Sequence, residues 1–177
     1  MRLRDHVILG GSASAALAPV LGADLLIFFC ASVLIDVDHY IDYVWHNAFR
    51  DLSPSGMFAY HRVLEGMWPR KEFLSLEVFH TVEFLAALYA ASWLLASGAL
   101  RAVFWGMVFH VLLDIVFLFR HRALFKRSYS ITEHLVRTAV MRSRGLRPSE
   151  VFAEAVEMTM GDKANARVEP IKPVDAR

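Results

Sequence analysis

The stretch Leu25-Leu-Ile-Phe-Phe-Cys-Ala-Ser-Val-Leu-Ile-Asp36-Val-Asp-His39 joins an uncharged apolar run to two carboxylates and an imidazole. The apolar part extends upstream, because Asp24 is the only charged residue from Val7 to Ile35. Pro19 and Gly22 stand just before it, so the pattern predicts two helices that meet at a tight turn near Pro19–Asp24. The second continues through Ile35 into Tyr40 or beyond. Further apolar runs cover about Leu76–Ala96, ended by Ser97-Gly98, and about Leu100–Phe119. Each approaches the ~20 residues that cross a hydrocarbon core. The whole chain is 56% hydrophobic, above the roughly 45–50% usual in soluble domains. The expectation is an all-α integral membrane bundle of about four helices with short cytosolic C-terminal helices.

Three regions follow from this reading. Residues 1–122 form the bundle. Residues 123–160 form cytosolic amphipathic helices, with helical periodicity over Ser130–Arg142 and Ser149–Met160. These either cover the cytoplasmic mouth of the bundle or lie on anionic lipid. Residues 161–177, with Pro170 and Pro173, read as a disordered tail. A cleaved signal peptide over Met1–Val20 is the competing reading of the N-terminus, but the apolar stretch runs on past any cleavage site.

The formal net charge of +1 conceals an uneven distribution. Arg2 and Arg4 precede the first helix, and Arg50, Arg62, Arg70 and Lys71 lie between the second and third. Arg120, Arg122, Lys126, Arg127, Arg137, Arg142, Arg144 and Arg147 follow the fourth, while the two opposite turns carry only Arg101. The positive-inside rule then puts both termini and the central loop on the cytoplasmic side of the inner membrane.

Within this frame the ionisable residues are conspicuous. Buried charges are costly without partners, and histidine with aspartate or glutamate is a ligand set for a zinc-like cation. His6, Asp36, Asp38, His39, His80, Glu83, His110 and Asp114 all fall in the cytoplasmic half of the expected bundle. His80 with Glu83 and His110 with Asp114 are i,i+3 and i,i+4 pairs that project from one helix face. On a continuing helix Asp36 and His39 share a face while Asp38 points away, which suits two ligands and one residue that orients a ligand. The competing readings are an i,i+4 hydrogen bond for His110–Asp114, and solvated helix ends for the other groups. His46 and His61 read as solvated loop residues, His121 as part of a basic interfacial cluster, and Glu133-His134 as outside the site. Trp45, Trp68, Trp93 and Trp105 suit an interfacial belt. Cys30, the one cysteine, can form no intrachain disulfide and leaves zinc to histidine and carboxylates.

His6-x-x-x-Gly10, Asp36-Val-Asp38-His39, His80 and His110-x-x-x-Asp114 together resemble the YdjM-like membrane-bound metal-dependent hydrolases. That family is thought related to the all-α zinc-dependent phospholipase C and P1 nuclease superfamily. The resemblance covers about Met1–Arg122. Two departures are plain: Ile35 stands where the family pattern has proline before Asp36, and His61-Arg62 is separated from Phe79-His80-Thr81 by an insertion.

What the resemblance implies is hydrolysis of a phosphoester, either a small molecule or a lipid-derived one, at the cytoplasmic face. The metal would be one to three divalent ions, zinc first and manganese second, held by the eight residues above. Glu83 or Asp38 would orient the attacking water or take its proton, and Arg62, Arg120 or Arg122 would steer the anion. Membrane lipid is the expected partner, and nucleic acid is not expected. Two other classes compete. A metal-binding or transport membrane protein would also place ionisable groups in a bundle, and a haem-binding bundle would use His80 and His110 as axial ligands.

Overall fold

A computed structural model describes residues 3–168. Helix α1 (Leu3–Leu21) ends in a 3-10 turn over Gly22–Asp24, where Gly22 takes φ +52. A left-handed backbone is accessible to glycine at little cost, so the expected turn sits where Gly22 permits it. Helix α2 (Leu25–Leu34) follows, and a turn at Ile35–Asp36 passes the chain into α3 (Val37–His46). Helix α4 (Pro54–Met67) starts with Ser53 accepting from the Gly56 amide and proline in the first turn, a standard helix entry. Helices α5 (Val82–Leu94) and α6 (Gly98–Arg120) form an apolar hairpin closed at Leu95–Ser97. Helices α7 (Ile131–Ser143) and α8 (Pro148–Val168) complete the chain.

The third apolar run is shorter as a helix than the sequence suggests. Ser75–Leu76 forms a two-residue strand, β1, paired in parallel with β2 (Arg127–Ser128), and Val78–His80 is a 3-10 turn. Helix α5 therefore has only 13 residues. Two helical segments are long and apolar enough to cross a membrane, the run from Leu3 to His46 and α6. Mostly helical structure is as expected. Helix α8 runs through Gly161 to Val168, inside the expected tail; positions 169–177 lie outside the described residues.

Two cores divide the work. Ile35, Met107 and Val111, with Ala31, Phe84 and Leu88 beside them, fill the space where α2, α5 and α6 meet. Tyr43, Tyr60, Leu64, Val151, Phe152 and Ala155 join α3, α4 and α8 into a second cluster. The outward faces of α1, α2, α5 and α6 leave Ile8, Val20, Leu26, Leu34, Trp93, Leu94, Leu112 and Val116 exposed. Such a large bare apolar surface needs a lipid or protein cover.

Helix α2 is gripped by small residues from both sides. A Cβ at Gly106 of α6 would lie 2.4 Å from the Phe28 carbonyl oxygen and 2.9 Å from the Ala31 Cβ. One at Gly10 of α1 would lie 2.5 Å from Ser32 Oγ. At Gly106 the missing side chain lets two backbones approach closely, as in packed membrane helices, and at Gly10 it makes room for the Ser32 side chain. Gly10 is one turn after His6 and Gly106 one turn before His110, so both contacts fix the height of a histidine against α2.

Candidate metal centre

His110 is fully buried on α6 at the level of Ser32. Its Nδ1 lies 2.8 Å from the Ser32 carbonyl oxygen, which assigns the proton to Nδ1 and leaves the Nε2 lone pair free to ligate. His80 ends the 3-10 turn before α5, and its Nδ1 lies 2.9 Å from Asp38 Oδ2. Asp38 Oδ2 also accepts from the Phe79 amide at 3.3 Å. A carboxylate or carbonyl holding the distal nitrogen of an imidazole is the usual support of a metal-bound histidine.

Both free nitrogens aim at the same place. His110 Nε2 is 3.1 Å from Asp36 Oδ1 and 3.6 Å from Asp114 Oδ2. His80 Nε2 is 3.8 Å from each of the same two oxygens. A tetrahedral site with bonds of ~2.0–2.2 Å has ligand-to-ligand edges of roughly 3.3–3.6 Å; these four separations lie within a few tenths of an ångström of that, and all four ligand atoms fall within 4.8 Å of one another. His80 Nε2, His110 Nε2 and Asp36 Oδ1 are also buried atoms with no hydrogen-bond partner. Such orphaned groups are rare in a folded protein unless something else satisfies them. The donor set fits a divalent cation.

Charge points the same way. Asp36, Asp38, Glu77 and Asp114 crowd the cluster, and among the described residues Arg127 pairs with two of them, through Asp114 Oδ2 at 3.0 Å and through Glu77. The parallel pairing of β1 with β2 sets Ser75 opposite Arg127 and so brings Glu77 alongside the guanidinium. Burial penalises the charged form of Arg127, but the adjacent Glu77 and Asp114 outweigh that and raise its pKa above the ordinary arginine value. Among the described residues, one guanidinium faces Asp36, Asp38, Glu77 and Asp114, and a divalent cation would offset part of the remaining negative charge.

The remaining expected residues divide. His6 is buried with its ring stacked on His110, centroids 3.9 Å apart, and its Nε2 lies 3.3 Å from Asp114 Oδ1, the other oxygen of that carboxylate. His39 reaches Asp36 Oδ1 at 3.4 Å, and Asp36, Asp38 and His39 form a second group of candidate ligands that shares Asp36. The turn at Asp36 (ψ 1) breaks the helical phase, so Asp38 swings toward His80 instead of pointing away. Glu83 does not reach either group. Thr81 interrupts the helix in extended conformation (φ −82, ψ 149), so His80 and Glu83 share no helix face. The Glu83 carboxylate instead accepts from Ser130 Oγ at 2.5 Å and from the Thr132 amide at 3.3 Å, at the start of α7.

His61 is closer to the centre than a solvated loop residue would be. It lies in α4 with Nε2 2.9 Å from the His39 carbonyl oxygen, and burial beside His39 lowers its pKa. His46 pairs with Asp42 at 3.1 Å, while His121 caps α6 through the Phe117 carbonyl at 2.8 Å. His134 packs on Ser128 Oγ at 3.3 Å. Sequence reasoning missed Glu77 and Arg127. Glu77 is an ionisable residue inside the third apolar run, the signal that singled out the others; Arg127 carries no such mark among the basic residues around it.

The fold and the cluster define an all-α protein with a buried histidine and aspartate centre able to hold a metal ion. Compared with family models, curated proteins and solved structures, the chain matches none.

Proposed function

We propose that the chain is a membrane-bound, metal-dependent hydrolase acting on a phosphoester at the cytoplasmic face. The observation that carries this reading is the convergence of His80 Nε2, His110 Nε2, Asp36 Oδ1 and Asp114 Oδ2, with both Nδ1 atoms tied back by Asp38 and Ser32. The centre opens into a cavity of about 930 Å³. Its lining joins Asp36, His39 and Asp114 to Leu3, Val7, Val33, Leu34, Phe58 and Phe117. A wall of that kind suits a substrate with a polar head and an aliphatic portion, which favours the lipid-derived member of the class. Arg62 and Lys126 on the same wall supply positive charge for an anionic head.

A divalent cation, zinc before manganese, would supply a Lewis acid for the phosphoryl oxygen and acidify water at neutral pH. The chain's own residues do the rest. Asp38 holds the His80 ring by its Nδ1 proton, Arg127 fixes Asp114, and the buried Asp38 Oδ1, which has no hydrogen-bond partner, is a proton acceptor beside the centre. Glu83, committed to α7, is replaced by Asp38 in this role. Membrane-spanning segments over Leu3–His46 and Gly98–Arg120, with both termini cytoplasmic, agree with the basic residues grouped after α6. The test is hydrolysis of phosphomonoester and phosphodiester probes and of short-chain phospholipids by detergent-purified protein loaded with zinc or manganese. Activity with the loaded wild type that His110→Ala lacks supports the reading. A wild type that holds metal yet turns over none of these probes refutes it.

A further inference from the structure

Helix α7 is built inside out. Its inner face carries Glu133, His134 and Arg137, and these polar groups fasten it to the protein. Arg137 reaches Glu133 at 2.7 Å, the Arg127 carbonyl at 3.4 Å and the Phe125 carbonyl. Glu133 accepts from the Tyr129 amide at 2.9 Å. The outer face carries Ile131, Leu135, Val136 and Val140, all exposed, and no residue of α7 is buried. An ordinary surface helix turns its apolar stripe to the core and its charges to water. Here the arrangement is reversed, so the apolar stripe must meet something other than water.

We propose that α7 is an in-plane membrane helix, seated by Leu135, Val136 and Val140 in the anionic lipid of the leaflet that adjoins the metal cavity. Charge complementarity argues for lipid over a protein partner. Arg142 flanks the outer stripe, Arg144 follows it, and the outward face carries no carboxylate. A stripe of this kind with basic edges binds anionic surfaces through apolar burial and charge together. The segment before α7 argues the same. Phe125, held beside α7 by its carbonyl contact with Arg137, is 79% exposed, and Phe119 at the end of α6 is 70% exposed. Between these two phenylalanines the exposed Arg120, His121 and Arg122 form a basic band, so the bare apolar surface of α6 is followed by charge suited to anionic headgroups before α7 begins.

The position has a functional consequence. Two residues separate α7 from β2, whose Arg127 holds Asp114, and Ser130, which caps the start of α7, holds Glu83. Docking of α7 sets the depth at which the cavity meets the leaflet. The inference rests on the membrane reading of α6 but not on the hydrolase reading.

The test places single spin labels on the full chain in phosphatidylcholine–phosphatidylglycerol nanodiscs, with Cys30→Ser removing the one native thiol. Labels go at Leu135→Cys and Val140→Cys, with Val116→Cys on the exposed face of α6 and Arg147→Cys as controls. Labels at 135 and 140 are expected about 5–10 Å below the headgroup boundary, reached by oxygen and shielded from a water-soluble nickel chelate, while 147 is the reverse. Nickel access at 135 and 140 equal to that at 147 overturns the inference. Shielding from both reagents with spin–spin broadening also overturns it, because a second copy then covers the face. If the label at 116 is itself reached by nickel, the membrane reading fails, an outcome distinct from failure at α7 alone.

Discussion

Gly106→Ala isolates the contact that sets His110 in place. The added Cβ would lie 2.4 Å from the Phe28 carbonyl oxygen, against 3.4 Å for ordinary contact, and the obstacle is backbone rather than a mobile side chain. Helices α2 and α6 must therefore part by about 1 Å at that level. His110 stands one turn further on, and its Nε2 lies 3.1 Å from Asp36 Oδ1 across the same interface. An opening near 1 Å exceeds the ~0.2 Å tolerance of metal-ligand distances. Loss of the Ser32 tether on Nδ1 adds to it, and such outer contacts are worth about 10–100-fold in metal affinity. Overpacking costs roughly 1–3 kcal/mol of stability. The assay is competition for zinc with a chromophoric chelator, paired with thermal unfolding of the detergent-solubilised protein. Gly66→Ala in α4 is the control, since nothing lies within 4 Å of its Cβ position and alanine favours a helix over glycine by about 1 kcal/mol. Wild-type zinc affinity in Gly106→Ala would refute the claim that this close approach positions His110.

Three more outcomes follow from the geometry. Asp38→Asn keeps the shape but weakens the hold on His80 Nδ1, so chelator competition should show zinc affinity lower by roughly 10–100-fold. Arg127→Met removes the buried partner of Asp114 and Glu77; unfolding should show metal-free protein less stable by about 3–5 kcal/mol, with added zinc restoring more stability than it gives the wild type. Glu83→Gln should leave the zinc content unchanged while loosening the start of α7, seen as faster amide exchange at Ser130–Glu133, and loss of zinc instead would return Glu83 to the centre.

The helices were legible where the pattern was local. Gly22 marked the α1–α2 turn, and helical periodicity over Ser130–Arg142 marked α7, because turns and periodicity depend on neighbouring residues. The third apolar run misled because hydropathy does not report phase. Leu76 and Val78 are as apolar as α5 but belong to a strand and a 3-10 turn. That break also separated Glu83 from His80. His110, Asp114, His80 and Asp36 were legible because a carboxylate or imidazole in an apolar run has few bland uses. Glu77 and Arg127 meet through the parallel pairing of two short strands about fifty residues apart in sequence, and no local pattern announces a pairing of that kind. Gly106 reads as an ordinary small residue until α2 is laid against it.

The central claim is that His80, His110, Asp36 and Asp114 hold a divalent cation. Elemental analysis of detergent-purified protein, wild type beside His110→Ala and Asp36→Ala, tests it most directly. The account predicts stoichiometric zinc or manganese in the wild type, lost in both variants although they remain folded, and lost from the wild type as pH falls below the ordinary histidine pKa of ~6.5, where protons displace the ion. A wild type without stoichiometric metal after loading with zinc or manganese, or variants that retain it in full, would contradict the account.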